Sequence, residues 1–444
     1  MSIHFEQQPK TRRAFLKQSA ALTSAALGTM AFANKAHAGG SDVLKVGVIG
    51  CGGRGTGAAE NALSADPHSQ IVALGDAFPE RAQSCLETLK NLPTVADRVV
   101  VDPDHIFSGF DAYKNVIDSG VDVVILASPP HFRPRHLAYA VEKDKHCFVE
   151  KPIAVDVPGA LEVKKTCELA ATKGLSIVSG LCWRYEPGVI ETIKRVQDGA
   201  IGDIIAIESC YNSGALWHRG DDPSWSRMEY QLRNWPYYTW LSGDHIAEQA
   251  VHSLDKTAWL LGDVSPTKAR GIGGRQQRTE AKYGNVFDHH VVFYEYANGV
   301  PVYFTCRQQE NCSTLVDECV VGTKGKAWIL ANRIEGENKW RYRGPKPNMY
   351  QVEHEALFRG IRQGSPINNG HFMTNSTLIA IMGRMATYTG QDLTWEQTLR
   401  SIERLGPERY EWSDMPEPSI AIPGKTKLVL APLEEQLSDN SSQG

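Results

Sequence analysis

The sequence predicts a two-domain α/β protein. An N-terminal parallel sheet is covered by helices on both faces, and an α+β domain with a large open, mostly antiparallel sheet follows. Three observations carry this. From Val43 to about Pro152, short apolar runs rich in β-branched residues alternate with helical patterns, the texture of strands buried on both faces. After Pro152 the strand-like runs lengthen and alternate polar with apolar residues, as half-buried strands do. The 444 residues, 42% hydrophobic and 22% charged, supply enough apolar material for two cores.

Each element follows from the local pattern. LKVGVIG (44–50) is a strand ending in glycine, and TGAAENALSA (56–65) the helix after it. QIVALGD (70–76) and FPERAQSCLETLK (78–90) repeat the unit, as do VDVVILAS (121–128) with HLAYAVEKD (136–144). HCFVEKP (146–152) closes the first domain, expected over residues 39–153. In the second domain, expected over 154–410, VPGALEVKKTCELAATKG is a helix and LSIVSGL a short strand. DIIAIESCY, HHVVFYEYANGVPVYFTCR and ECVVGTKGKAWIL are longer strands, two of them joined as a hairpin at Ala297-Asn298-Gly299. QVEHEALFRGIRQG and NSTLIAIMGRMATYTG are late helices. Residues 411–444 form an extension whose polar end, SDNSSQG, is expected to be partly disordered.

The first 38 residues have the three parts of an export signal. Thr11 to Lys17 is a charged stretch holding Arg12-Arg13, Ser19 to Ala33 is mildly apolar, and Ala36-His37-Ala38 suits a cleavage site. The segment resembles a twin-arginine (Tat) signal, which implies export of a folded protein to the periplasm. The apolar part is too short and weak for a stable span, which takes about 20 strongly apolar residues. Whether the leader is cleaved stays open.

Formal charge is −4; without the leader, 42 basic residues face 50 acidic ones, or −8. With no basic run, that balance argues against nucleic acid or an anionic membrane as a partner. The nine cysteines are scattered and form no CxxC pair. They read as buried small hydrophobes, neither a disulfide framework nor a zinc ribbon.

Gly50-Cys51-Gly52-Gly53-Arg54-Gly55 is a G-x-G-x-x-G run that ends a strand, opens a helix and is followed by Asp76 at the end of the next strand. In that context it signals a dinucleotide site. Gly50 permits the tight turn, Gly52 the approach of the pyrophosphate to the helix N-terminus, and Gly55 close helix–strand packing. Asp76 suits the ribose hydroxyls and would repel a 2′-phosphate, which favours NAD over NADP. Arg54 and Arg81 pull the other way, since either could meet a phosphate.

Glu150-Lys151-Pro152 closes a strand at the edge where ligands of parallel sheets bind. A lysine there can steady a developing alkoxide. Further on, His245, Glu248, Gln249 and His252 fall at i, i+3, i+4 and i+7, one face of a helix. His252 is the candidate general base, and Glu248 could orient it or Lys151. The stripe could instead be a satisfied polar interface. It could also ligate zinc, but no flanking Cys or third His has suitable spacing, so no metal is expected.

Together these residues resemble the Gfo/Idh/MocA oxidoreductases, over about Lys45 to Trp395. VGVIGCGGRG, the run Ser128-Pro129-Pro130-His131 and EKP mark the first domain. RNWPYYTWLSGDHIAEQAVHSLD and TLIAIMGRMATYTGQDLTWEQTL mark the second. The resemblance implies a Rossmann domain with Ser128, Pro129, His131, Glu150 and Lys151 near the cofactor. It also implies a second domain whose open sheet pairs copies into dimers or tetramers. Lys151 matches the family's lysine and His252 its histidine, while Glu248 stands where an aspartate is usual.

Trp183-Arg184-Tyr185, Asn234, Trp235, Tyr238 and His245 are the candidate substrate-binding residues, because aromatic faces suit sugar C–H groups and Arg and Asn suit hydroxyls. The expected reaction is oxidation of a sugar or polyol CH–OH, with NAD tightly bound and recycled. His252 takes the hydroxyl proton and Lys151 stabilises the alkoxide. Two alternatives stay open. One is an NAD-dependent glycosidase running a redox-neutral oxidation–elimination–reduction cycle. The other is a non-catalytic binding module with a vestigial cofactor site.

Overall fold

The computed structural model describes residues 42–432. The expected leader and the polar C-terminal end lie outside the described residues. No helix among the described residues is long and apolar enough to cross a membrane.

Six parallel strands form the first sheet: β1 (Leu44–Ile49), β2 (Ser69–Asp76), β3 (Ile106–Ser108), β4 (Val123–Leu126), β5 (His146–Val149) and β6 (Ile177–Ser179). Their order is β3-β2-β1-β4-β5-β6, the doubly wound arrangement with its switch point between β1 and β4. Between them run α1 (Gly53–Ala65), α2 (Pro79–Lys90), α3 (Ala112–Asp118), α4 (Arg133–Glu142) and α5 (Val157–Thr172). Val46, Val48, Val123 and Ile125 are fully or almost fully buried, which is why these strands read as unbroken apolar runs.

The sheet extends past residue 153, where the sequence reading ended the first domain. LSIVSGL supplies its sixth strand, β6, which pairs with β5 through Cys147↔Ile177 and Val149↔Ser179. A strand of three residues carries no periodicity that distinguishes a parallel edge from a separate sheet. A late helix also returns to the sheet. In α11 (Met349–Arg362), reached after α6 (Pro187–Gln197), α7 (Arg227–Arg233), α8 (Thr239–Ser242), α9 (His245–Glu248) and α10 (Val251–Leu260), Leu357 and Phe358 are buried with Val46, Leu63 and Phe148.

The second sheet has nine strands. They are β7 (Ile204–Ser213), β8 (Lys268–Gly274), β9 (His289–Glu295), β10 (Pro301–Gln308), β11 (Leu315–Gly322), β12 (Gly325–Trp328), β13 (Arg333–Gly336), β14 (Trp340–Arg341) and β15 (Leu393–Thr394). The order is β14-β13-β12-β11-β7-β10-β9-β8-β15. Its pairs are antiparallel except β7 with β10. The Ala297–Gly299 turn joins β9 to β10 as the sequence suggests, with Glu295 opposite Pro301 and Gly299 at φ 83°. Helix α12 (Gly370–Thr389) is buried almost all round, as an apolar helix between layers must be. It packs on β8, β9 and α5. Seven of the nine cysteines are buried.

Candidate active site

The carboxyl ends of β1, β2, β4 and β5 open into a cavity of about 1160 Å³ that also takes in residues from Gly180 to His252. The glycine-rich turn forms its floor. Gly50 has φ 93°, and a Cβ there would lie 2.4 Å from the Ser128 backbone nitrogen. A Cβ on Gly55 would fall 1.8 Å from the Gly50 carbonyl oxygen, whereas at Gly52 and Gly53 it would meet nothing within 4 Å. Two glycines are thus demanded by packing, and two leave backbone open to the cavity. The first turn of α1 has neither a side-chain cap nor an acidic residue, so its orphan N–H groups are available to an anion. This cradle fits the pyrophosphate of a dinucleotide.

Asp76, buried at the end of β2, accepts from the amides of Cys51 (2.7 Å, Oδ2) and Phe78 (3.0 Å, Oδ1). Burial raises its carboxyl above the ordinary value, against those amides and the nearby Arg81. The Cys51 N–H is therefore committed to Asp76 and not to a phosphate. Arg81 lies over the Phe78 ring at 5.1 Å. Arg54 forms a short ion pair with Glu150 and a second, at 3.0 Å, with Glu353 of α11. It thereby locks the returning helix to the glycine-rich loop. Burial pushes Glu150 up, and Arg54, Arg133 and Lys151 more than reverse that, leaving it below its ordinary value. Ser128, Pro129 and Glu150 line the cavity. His131 does not: its ring nitrogen bonds the Tyr410 hydroxyl at 2.7 Å, and burial pushes it down to about 4.

Lys151, just beyond β5, reaches across to the second half of the chain. Its Nζ lies 2.8 Å from Glu248 Oε1 and also donates to the Glu248 carbonyl. His252 lines the same cavity with its Nδ1 sealed and unpartnered. Burial, then the charges of Lys151, Lys256 and Arg54, hold it well below the usual imidazole range. These influences all favour the neutral imidazole over its protonated form. Behind it Lys256 donates to the His252 carbonyl at 3.0 Å and pairs with Glu318 at 3.2 Å, both fully buried. Burial pushes Glu318 up to about 7.

The expected helical stripe is not one helix. The Ala250 N–H bonds the His245 carbonyl five residues back (3.0 Å), as Gln249 does four back. That extra residue splits α9 from α10 and rotates them by roughly 100°. Glu248, Gln249 and His252 line the cavity, while His245 turns into the core. There it bonds Asp244 (2.7 Å), whose carboxylate also accepts from the Phe287 amide and the Tyr388 hydroxyl.

Most of the expected substrate residues serve the framework. Arg184 makes ion pairs with Asp255 and Asp263. Trp183 packs on the core with the Lys256 ammonium 5.3 Å from its ring centroid. Tyr185 donates to Asn369 (3.0 Å), and Tyr238 is fully buried. Only Trp235 reaches the cavity. Asn234 acts indirectly. Its Oδ1 accepts from the Arg219 amide (2.8 Å) and its Nδ2 donates to the Gly220 carbonyl (3.1 Å), which pins the loop carrying Trp217 and Arg219 into the wall. Those two line the cavity together with Phe78, Tyr211, Arg133 and Gln249. The 214–226 loop has no periodicity to betray it, and Gln249 was visible only as a member of the stripe.

Comparison with known proteins agrees with this fold. The Gfo/Idh/MocA oxidoreductase-family model, NAD-binding Rossmann fold, matches residues 44–178, and the Gfo/Idh/MocA C-terminal domain model matches 190–328. Glycosyl hydrolase family 109 protein 1 of Bacteroides fragilis is 31% identical over 202 residues, 44% of this chain. The match spans only 37% of that relative. Inositol 2-dehydrogenase of Acidothermus cellulolyticus is 23% identical over 338 residues, 72% of this chain and 85% of the relative. The crystal structure of aldose-aldose oxidoreductase from Caulobacter crescentus, complexed with glycerol, superposes with a TM-score of 0.62 at 19% identity, over 79% of this chain and 99% of that one.

Proposed function

This chain belongs to the Gfo/Idh/MocA family of NAD-binding oxidoreductases, and on that premise we propose that it oxidises a CH–OH group of a sugar or polyol. One observation carries the reading. Lys151, Glu248 and His252, drawn from both halves of the chain, meet in the cavity floored by the glycine-rich cradle and Asp76. Gly52, Gly53, the first turn of α1 and Asp76 would hold NAD, which when bound supplies the two-electron acceptor. The neutral His252 takes the hydroxyl proton. The Lys151 ammonium, steered by Glu248, stabilises the alkoxide. Trp217, Trp235 and Tyr211 offer faces for sugar C–H groups.

The cofactor is held through many turnovers and regenerated in place, the hydride taken from the first sugar passing from NADH to a second carbonyl compound that is reduced to an alcohol, and the twin-arginine leader exports the loaded protein to the periplasm. Arg12-Arg13, the apolar stretch and Ala36-His37-Ala38 support this. The outer face of the second sheet, with Ile272 70% and Tyr303 47% exposed and Phe293 packed edge-on to Tyr303, suits pairing with a second copy. The likeness to a glycosyl hydrolase family 109 protein supports redox-neutral glycoside cleavage as the second reading.

The test is to denature purified protein, quantify released nucleotide by mass spectrometry, and follow the redox state of the bound nucleotide as sugars are added. Near-stoichiometric NAD(H) that a sugar reduces is expected. No nucleotide, and no reduction of added NAD by any sugar, would overturn the reading. Phenol release from aryl glycosides without net NADH would select the second one.

A further inference from the structure

We propose that Gln249 is a fixed hydrogen-bond donor to the substrate, its polarity set from behind by Arg278 through Gln308. This rests on the cavity being a sugar site. Arg278 is buried, and a guanidinium only donates. Its Nη2 donates to Oε1 of Gln308, also buried. The Gln308 amide nitrogen must then point the other way, and it donates to Gln249 Oε1 at 2.7 Å. The Ser213 hydroxyl donates to the same oxygen at 3.2 Å.

Gln249 Oε1 therefore has two protein donors, while its Nε2 has no protein partner among the described residues. Turning either amide round would set donor against donor in a buried place, which is costly. A cation on the far side thus decides that the cavity presents N–H, not C=O, next to Glu248 and three residues before His252. A sugar hydroxyl can meet that donor. A carboxylate or acyl carbonyl oxygen can only accept and suits it best, so the site favours sugars carrying such an oxygen near the reacting carbinol.

The experiment uses the NAD-loaded full chain and three probes: D-glucose, D-glucuronate and N-acetyl-D-glucosamine. Affinity is read by calorimetry, and bound NADH by absorbance. Gln308→Glu leaves the cavity wall untouched. Its carboxylate accepts from Arg278 on one side and from Gln249 on the other, so the Gln249 amide turns and shows its oxygen to the cavity. Glucuronate and N-acetylglucosamine should then bind about 10-fold or more weaker, with glucose within about 3-fold. Gln249→Leu should cost the same two probes about 10-fold, and equal NAD content reports an intact fold.

Unchanged relative affinities in both variants, or a wild type that binds none of the probes, would overturn the assignment. If the expected pattern appears but bound NAD is never reduced, the donor stands and the oxidoreductase reading falls.

Discussion

Lys151 places its ammonium nitrogen 2.8 Å from the Glu248 carboxylate, joining the edge of the parallel sheet to α9. Both side chains are largely withdrawn from water, at 15% and 16% exposure. The pair therefore resists screening better than a surface bridge.

Lys151→Met should lower kcat by about 10²–10³-fold while NAD is retained, because it removes a donor aimed at developing negative charge. Glu248→Gln keeps an oxygen for Nζ but loses the charge, and a smaller loss is expected, about 10-fold. Steady-state kinetics beside nucleotide quantification checks both. Wild-type turnover in the Met variant would sink the assignment.

His252→Asn should cost about 10²–10⁴-fold, the range of general-base catalysis. Burial and neighbouring cations depress this imidazole, so the neutral form persists below the usual titration range. The acid limb of the kcat/KM profile should accordingly lie below pH 6.5. A limb at or above that value would mean another group is the base.

Asp76→Ala removes both the ribose acceptor and the carboxylate that holds the Cys51 amide. NAD affinity should fall by about 10–100-fold, as for hydrogen bonds to a charged group, with NADP affected less. Titration of apoprotein with the two nucleotides compares them. Equal losses would remove Asp76 as the discriminator.

Asn234→Ala frees the loop bearing Trp217 and Arg219. KM for the sugar should rise about 5–10-fold, with kcat nearly unchanged, since no proton-transfer group is touched. A fall confined to kcat would contradict a positioning role.

The protein should lose stability in acid. Burial holds His131 and His354 at about 4 and His136 at about 3. The folded state keeps them neutral, whereas the unfolded chain protonates them near pH 6.5. Their stabilisation is complete above pH 6.5 and is lost as pH falls through about 4, on the order of 3 kcal/mol for each. Thermal unfolding midpoints should drop steeply across that window. His136→Phe should shrink the drop, and a flat profile would refute it.

Local chemistry made much of this legible before the fold was known. Gly50 and Gly55 announce a turn that no other residue fits, and their place between an apolar strand and a helix gives the dinucleotide cradle. Lys151 closes a strand at the ligand edge of the parallel sheet and His252 ends a polar stripe, so position along the chain singled both out. The substrate wall was not legible in the same way. Trp183, Arg184 and Tyr185 carry the residue types of a sugar site, but Arg184 is claimed by Asp255 and Asp263, acids more than seventy positions away. Helical spacing placed His245 with Glu248 and His252, and a single hydrogen bond from Ala250 to its carbonyl undid that.

By itself, then, the sequence determined the order of strands and helices, the parallel and antiparallel characters of the two sheets, the glycine-rich cradle and which lysine and histidine were candidates for the cavity that both line. All of these depend on neighbours within a few residues or on conformations only glycine adopts. Tertiary structure alone decided that β6 joins the first sheet and α11 packs against it, that Arg54 pairs with Glu150 and Glu353, and that the Gln249 oxygen is held by Gln308. Those outcomes turn on which buried donor finds which acceptor across hundreds of residues. Burial makes each unmet group costly enough to choose the arrangement, and no spacing along the chain records that choice.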